Sequence, residues 1–109
     1  QIFSNLIENA IKYRRTNVAL RITISGEPHR DGYLIKITDN GIGIPKEHWK
    51  KIFNVFQRLH GEGKYSGTGI GLATVKKCVH ILGGSIWVES MVGKGSTFLL
   101  HLPVTSIKA

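Results

Sequence analysis

The chain has 109 residues, 41% of them hydrophobic, a size that gives one globular domain with a single modest core. Its formal charge is +8, but the basic residues are dispersed from Lys12 to Lys108 with no dense tract interleaved with aromatics, which argues against a nucleic-acid module. No apolar run approaches the roughly 20 residues that span a bilayer, no signal peptide is read, and the one cysteine, Cys78, excludes an internal disulfide, so a cytoplasmic setting is expected.

The chain opens on Gln1-Ile2-Phe3, without Met and already inside a helical pattern, so a piece of a longer protein is expected. Ile2, Phe3, Leu6, Ile7, Ala10 and Ile11 fall at helical spacing and predict an amphipathic helix over residues 1 to about 14. Asn5 and Asn9 lie four apart on one face of it, with Lys12 and Tyr13 a turn further on. Asparagine is a poor helix former, so two in line point to a row of neutral carbonyl oxygens facing a cation or phosphate. Two solvated surface residues are the competing reading.

Residues 19–25 alternate as a strand, Glu27 to Gly32 carry turn chemistry, and 33–38 return as the second strand of a hairpin. In that second strand Leu34 and Lys36 share one face, Ile35 and Ile37 the other. Asp39-Asn40-Gly41-Ile42-Gly43-Ile44-Pro45 follows at the strand's exit. An acid there can accept a hydrogen bond from a ligand's amino group, and two glycines two apart let the backbone pass close to a flat ligand. An ordinary Asp-Asn-Gly turn would read the same way.

Pro45 suits the first turn of a short helix through roughly residue 51, and Ile52, Phe53, Val55, Phe56 and Leu59 form an apolar cluster that reads as core. Residues 60–67 are glycine-rich with little apolar content, the composition of a lid loop. Gly67-Thr68-Gly69-Ile70-Gly71 leads into a helix from Leu72 to about Leu82, ended by Gly83-Gly84. Two strands, 85–90 and 96–102, close the domain around residues 92–95. The domain is expected over 1–103, with 104–109 a tail or linker.

A glycine-rich loop entering a helix is an anion site, because unpaired N–H groups and the helix dipole face the ligand. A dinucleotide-binding fold is the first candidate, with Gly67 and Gly69 opening a helix and Glu89 ending a strand some 20 residues on. It fails because a polar loop, not a strand, precedes Gly67, and because its third small position is Leu72. A P-loop fails too, since no Gly-Lys-Ser/Thr follows.

In order, the chain carries an Asn-x-x-x-Asn helix, an Asp-x-Gly-x-Gly turn, a Phe-rich segment and a Gly-x-Gly-x-Gly loop. This resembles the ATP-binding catalytic domain of sensor histidine kinases, within the superfamily of gyrase, mismatch-repair and heat-shock chaperone ATPases. Residues 5–13 are similar to the N box, 39–45 to the first glycine box, 52–58 to the F box and 67–73 to the second glycine box. The resemblance covers essentially the whole chain. It implies an α/β (α+β) two-layer sandwich of the Bergerat type, with a mixed, mostly antiparallel sheet and helices on one face.

The resemblance also implies roles. Asn9 would hold Mg2+, with water and phosphate oxygens completing the shell. Asn5 and Lys12 would face the phosphates of ATP, and Tyr13 would pack near the ribose or adenine. Asp39 would accept the adenine amino proton beside Gly41, Gly43 and Ile44. Arg58 would reach the γ-phosphate. Gly67, Thr68, Gly69, Gly71 and Leu72 would line the triphosphate, and Ser96 would lie near the adenine. Phe53 and Phe56 would anchor the lid.

The superfamily's ATPases carry a glutamate four residues before the metal-binding asparagine, as base for water. Asn5 stands there and cannot abstract a proton, which favours a kinase over a hydrolase. Glu8 lies about 100° around the helix from Asn9 and does not fill that role. The family's acceptor histidine precedes an acid, and none of His29, His48, His60, His80 and His101 does. The acceptor is expected on a separate dimerisation and phosphotransfer domain of the same protein, a homodimer that serves a response regulator receiver domain indirectly. Rival readings are a serine kinase or ATPase regulator on the same fold, and a basic nucleic-acid-binding module. The family's usual upstream helix and strand are missing, which would leave part of one sheet edge uncovered.

Overall fold

Among the described residues two hairpins build the sheet. The computed structural model describes residues 2–54 and 71–103. In the first hairpin β1 (Ile22–His29) pairs antiparallel with β2 (Gly32–Asp39) across the turn Arg30-Asp31, where Arg30 is left-handed at φ 56°. The turn expected over Glu27 to Gly32 is therefore shorter, and the strand runs on to His29. Pro28 is tolerated because β1 is an edge strand of the described sheet, where a missing N–H need not break a ladder.

The start of the predicted strand, residues 19–21, lies outside β1 for a physical reason. The Asn40 side chain takes its hydrogen bonds: Nδ2 donates to the Ala19 carbonyl at 2.9 Å, and Oδ1 accepts from the Arg21 N–H at 2.8 Å. Those groups then have no need of a ladder.

The second hairpin joins β3 (Ser85–Met91) to β4 (Gly95–Pro103), and β4 pairs with β2. The order is β1-β2-β4-β3, and all three pairings are antiparallel. Strand pleat puts the row Ile24, Ile37, Phe98, Val88 on one face and the row Ser25, Lys36, Leu99, Trp87 on the other. The first of these faces the helices, as the expected split of Ile37 from Lys36 requires.

The helices α1 (Ile2–Lys12) and α2 (Gly71–Ile81) pack on each other and on that face. Leu6 of α1 and Val75 and Val79 of α2 meet Ile37, Phe98 and Leu100 in a core where all six are at most 2% exposed. Each such side chain contributes about 1.5–3 kcal/mol by leaving water. Helix α2 stops at Gly83, at φ 79°, with Gly83 N–H donating to His80 O and Gly84 N–H to Val79 O, both at 2.9 Å. This is the double capping bond of a Schellman ending.

The short helix expected after Pro45 is instead two 3₁₀ turns, Lys46–His48 and Lys51–Phe53. Ile52 and Phe53 are core residues, and Phe53 meets Phe98 edge-on at 6.1 Å between ring centroids. Phe53 is thus anchored in the domain core, while Val55, Phe56 and Leu59 lie outside the described residues, as do the predicted lid and the tail at 104–109. Among the described residues no helix is long and apolar enough to cross a membrane.

Candidate functional site

Asp39 ends β2 on the helix-facing side, and the ladder sets Ser96 of β4 opposite it and Ser90 of β3 opposite Ser96. One row across three strands therefore holds Asp39, Ser96 and Ser90 where the rows beside it hold Phe98 and Leu100. Glu89, the ribose acid of the rejected dinucleotide reading, lies on the other face, opposite Thr97.

A narrow cleft forms over this row. Its walls are Asn9 and Tyr13 of α1, Asp39 and Ser96 of the sheet, and Ile42, Gly43 and Ile44 of the turn. The sequence-predicted helix, glycine turn and Ser96 thus come together. Within the cleft, burial raises the Asp39 pKa above its usual 3.8, while hydrogen bonds from the backbone N–H groups of Gly41 and Ser96 act against the shift. The Gly41 bond to Oδ1 measures 2.9 Å.

The glycine turn is anchored almost residue by residue. Asn40 N–H donates to Arg21 O at 3.3 Å, and Asn40 O accepts from Arg15 Nε at 2.9 Å. Ile42 N–H donates to Tyr13 O at 3.0 Å, and Ile42 O accepts from Gly93 N–H at 2.8 Å. Ile44 N–H donates to Ser90 Oγ at 2.7 Å, and Ile44 O accepts from Trp49 Nε1 at 2.9 Å.

The glycines serve this anchoring directly. A Cβ on Gly41 would come within 2.7 Å of Tyr13 O, and one on Gly43, at φ 81°, would overlap the Met91 carbonyl and lie 2.7 Å from Val92 Cα. The space read as clearance for a flat ligand is, at these two positions, filled by the protein's own backbone. That backbone approach is what fixes Asp39, Ile42 and Ile44 around the cleft.

Asn5 lies one turn before Asn9, and its Oδ1 would sit 4.0 Å from a Cβ on Gly71, so it faces the start of α2. Lys12 is half-buried in the last turn of α1. Leu72 packs its side chain against the core, which leaves its backbone N–H as the part able to meet an anion. Arg58, Gly67, Thr68 and Gly69 lie outside the described residues.

Four residues of the site were not singled out from the sequence. Asn40 ties residues 19–21 to the turn, Trp49 caps Ile44, and Gly95, at φ 136°, lets β4 press against the Asp39 carbonyl, where a Cβ would overlap. Ser90 is the fourth. Its signal was parity: it shares a face with Ile86 and Val88, so it is a hydroxyl at a core-facing position.

Among the described residues no three His, Cys, Asp or Glu side chains gather as a metal site. The neutral Asn9 at the cleft fits an ion that arrives already bound to phosphate, which is how Mg2+ is commonly held.

Residues 1–106 match the family model described as histidine kinase-, DNA gyrase B- and HSP90-like ATPase. Cyanobacterial phytochrome A of Nostoc sp. is 48% identical over 104 residues, covering 95% of this chain and 14% of that protein. Among solved structures, the mycobacterial sensor histidine kinase MprB superposes with a TM-score of 0.81 at 28% identity, over 94% of this chain and 69% of that one. Full-length ShkA in complex with AMPPNP gives 0.80 at 25% identity, over 94% of this chain and 20% of that one.

Proposed function

The chain belongs to the histidine kinase-, DNA gyrase B- and HSP90-like ATPase family, and from that premise we propose that it is the catalytic domain of a sensor histidine kinase, binding Mg-ATP and passing the γ-phosphoryl group to a histidine on another domain. One observation carries the reading: Asn9 of α1 and the half-buried Asp39 line one cleft, and Asn5, a turn before Asn9, faces the start of α2. The ShkA complex with an ATP analogue supports nucleotide as the ligand.

Asp39 accepts from the adenine amino group, at a carboxylate already held by Gly41 and Ser96 N–H donors. Tyr13 borders the base and ribose. Asn5, Lys12 and the N–H groups opening α2 face the phosphates, and Asn9 offers an amide oxygen to Mg2+. Held there, the ion would supply positive charge to offset that of the phosphates. Arg58 adds positive charge at the γ-phosphate. Catalysis by this chain is then positioning and charge neutralisation, with no base for water, since Asn5 cannot take a proton. The acceptor histidine belongs to a dimerisation and phosphotransfer domain of the same homodimeric protein, and a receiver domain takes the phosphoryl group afterwards.

The test is to incubate the chain with Mg-ATP, with and without the helical-hairpin domain of its own full-length protein. The expected outcome is label on a histidine of the hairpin and very slow phosphate release without it. Rapid release to water with no labelled histidine would replace the kinase with an ATPase.

A further inference from the structure

Among the described residues the Ser90 hydroxyl has three hydrogen-bonding contacts, and a hydroxyl has one proton to give and two lone pairs to receive with. Ile44 N–H donates to its Oγ at 2.7 Å, and one lone pair is used. The Gly95 carbonyl, 2.7 Å away, can only accept, so it takes the single Ser90 proton. The remaining contact is Ser96 Oγ at 2.8 Å. With the Ser90 proton committed, the Ser96 proton must point to Ser90.

Ser96 is 7% exposed, lines the cleft and stands opposite Asp39 in the ladder. Turned this way, its hydroxyl can only accept from the cleft side. Asp39, when ionised, is also acceptor-only. Two adjacent acceptors fit a primary amine, which has two N–H groups to donate, and oppose a carbonyl oxygen, which has none.

We propose that Ser90 is a specificity-determining positioning residue: by holding the Ser96 proton it makes Asp39 and Ser96 a paired acceptor that selects a 6-amino purine nucleotide over a 6-oxo one. This rests on the nucleotide reading of the cleft, and assigns to a residue outside the cleft the sense of its hydrogen bonds. Removing the Ser90 hydroxyl frees the Ser96 proton to rotate inward and donate to a 6-oxo group.

The experiment titrates ATP and inosine triphosphate, which share sugar and phosphates, into the wild-type chain and the variants Ser90→Ala, Ser90→Thr, Ser96→Ala and Ser90→Ala/Ser96→Ala. The wild type prefers ATP, and Ser90→Ala lowers the ratio of ATP to inosine triphosphate affinities by about tenfold, the scale of one mispaired buried polar group. Ser90→Thr restores the ratio. The double variant matches Ser96→Ala alone, because Ser90 acts through Ser96. An unchanged ratio in folded Ser90→Ala overturns the proposal, as does a ratio that falls equally in the Ser96→Ala background. Should Ser90→Ala fail to fold, Ser90→Cys, with its weak donor, carries the same test: a lowered ratio supports the proposal and a wild-type ratio overturns it. Failure of the underlying reading looks different, since the wild type would then bind neither nucleotide.

Discussion

Gly43 and Gly93 offer a matched pair of substitutions that separates backbone strain from steric overlap. Both are left-handed, at φ 81° and 82°. A Cβ on Gly93 meets nothing within 4 Å, whereas one on Gly43 overlaps Met91 O and lies 2.7 Å from both Met91 C and Val92 Cα. Either alanine bears the left-handed penalty of about 1–2 kcal/mol for an L-residue. Both also gain the same reduction in unfolded-chain entropy, which cancels in the comparison. Gly43→Ala must in addition push one backbone off another, which costs about 1–3 kcal/mol as overpacking. Urea unfolding of the two variants should therefore separate their stabilities by about 1–3 kcal/mol, with Gly93→Ala the milder. Gly43→Ala should also weaken nucleotide binding, because the displaced turn carries Ile42 and Ile44 of the cleft. Equal unfolding midpoints would refute the claim that Gly43 exists for the contact with β3.

Asn40→Ala removes the exposed hydrogen bonds to Ala19 O and Arg21 N–H, where water can substitute, and should lower stability by about 0.5–1.5 kcal/mol in the same urea assay, while Asn40→Asp, which can still accept from Arg21 N–H, loses less. Asn5→Glu supplies a carboxylate in the turn before Asn9 and should raise steady-state phosphate release about tenfold, a small part of what a positioned base contributes; a phosphate-release assay with no increase would show that Asn5 is not what spares ATP. Asp39 also predicts opposite pH trends. Its pKa is raised in the folded chain, so protonation favours folding fully below 3.8, and that contribution is lost as pH rises through the folded value. Nucleotide binding needs the ionised acceptor and is lost as pH falls, with an acid midpoint above 3.8 in affinity titrations of the wild type and no such limb in Asp39→Asn.

What the sequence made legible was whatever depends on local spacing. The i, i+4 pair Asn5 and Asn9, the alternation that parted Ile37 from Lys36, and Gly83 as the end of α2 all follow from helix and strand periods. The parts that were not legible depend on contacts across the chain. Asn40 draws residues 19–21 out of the strand from about 20 positions away, and no local propensity encodes that. Gly41 and Gly43 were legible as special positions, but their neighbours were not, because Tyr13 and Met91 reach them only after the hairpins pair. Ser90 broke its strand's apolar parity in plain view; its meaning needed the register that sets it beside Ser96.

The reading of Asp39 as the base-recognition acid is tested most directly by calorimetric titration of Mg-ATP into the wild-type chain and Asp39→Asn, with circular dichroism on both. The wild type should saturate at one site. Asp39→Asn should keep its fold, since it replaces a half-buried carboxylate with a neutral group of the same shape, and lose about 10- to 100-fold in affinity, the worth of one hydrogen bond to a charged group. Equal affinities in two folded proteins would return Asp39 to an ordinary turn residue and contradict the account.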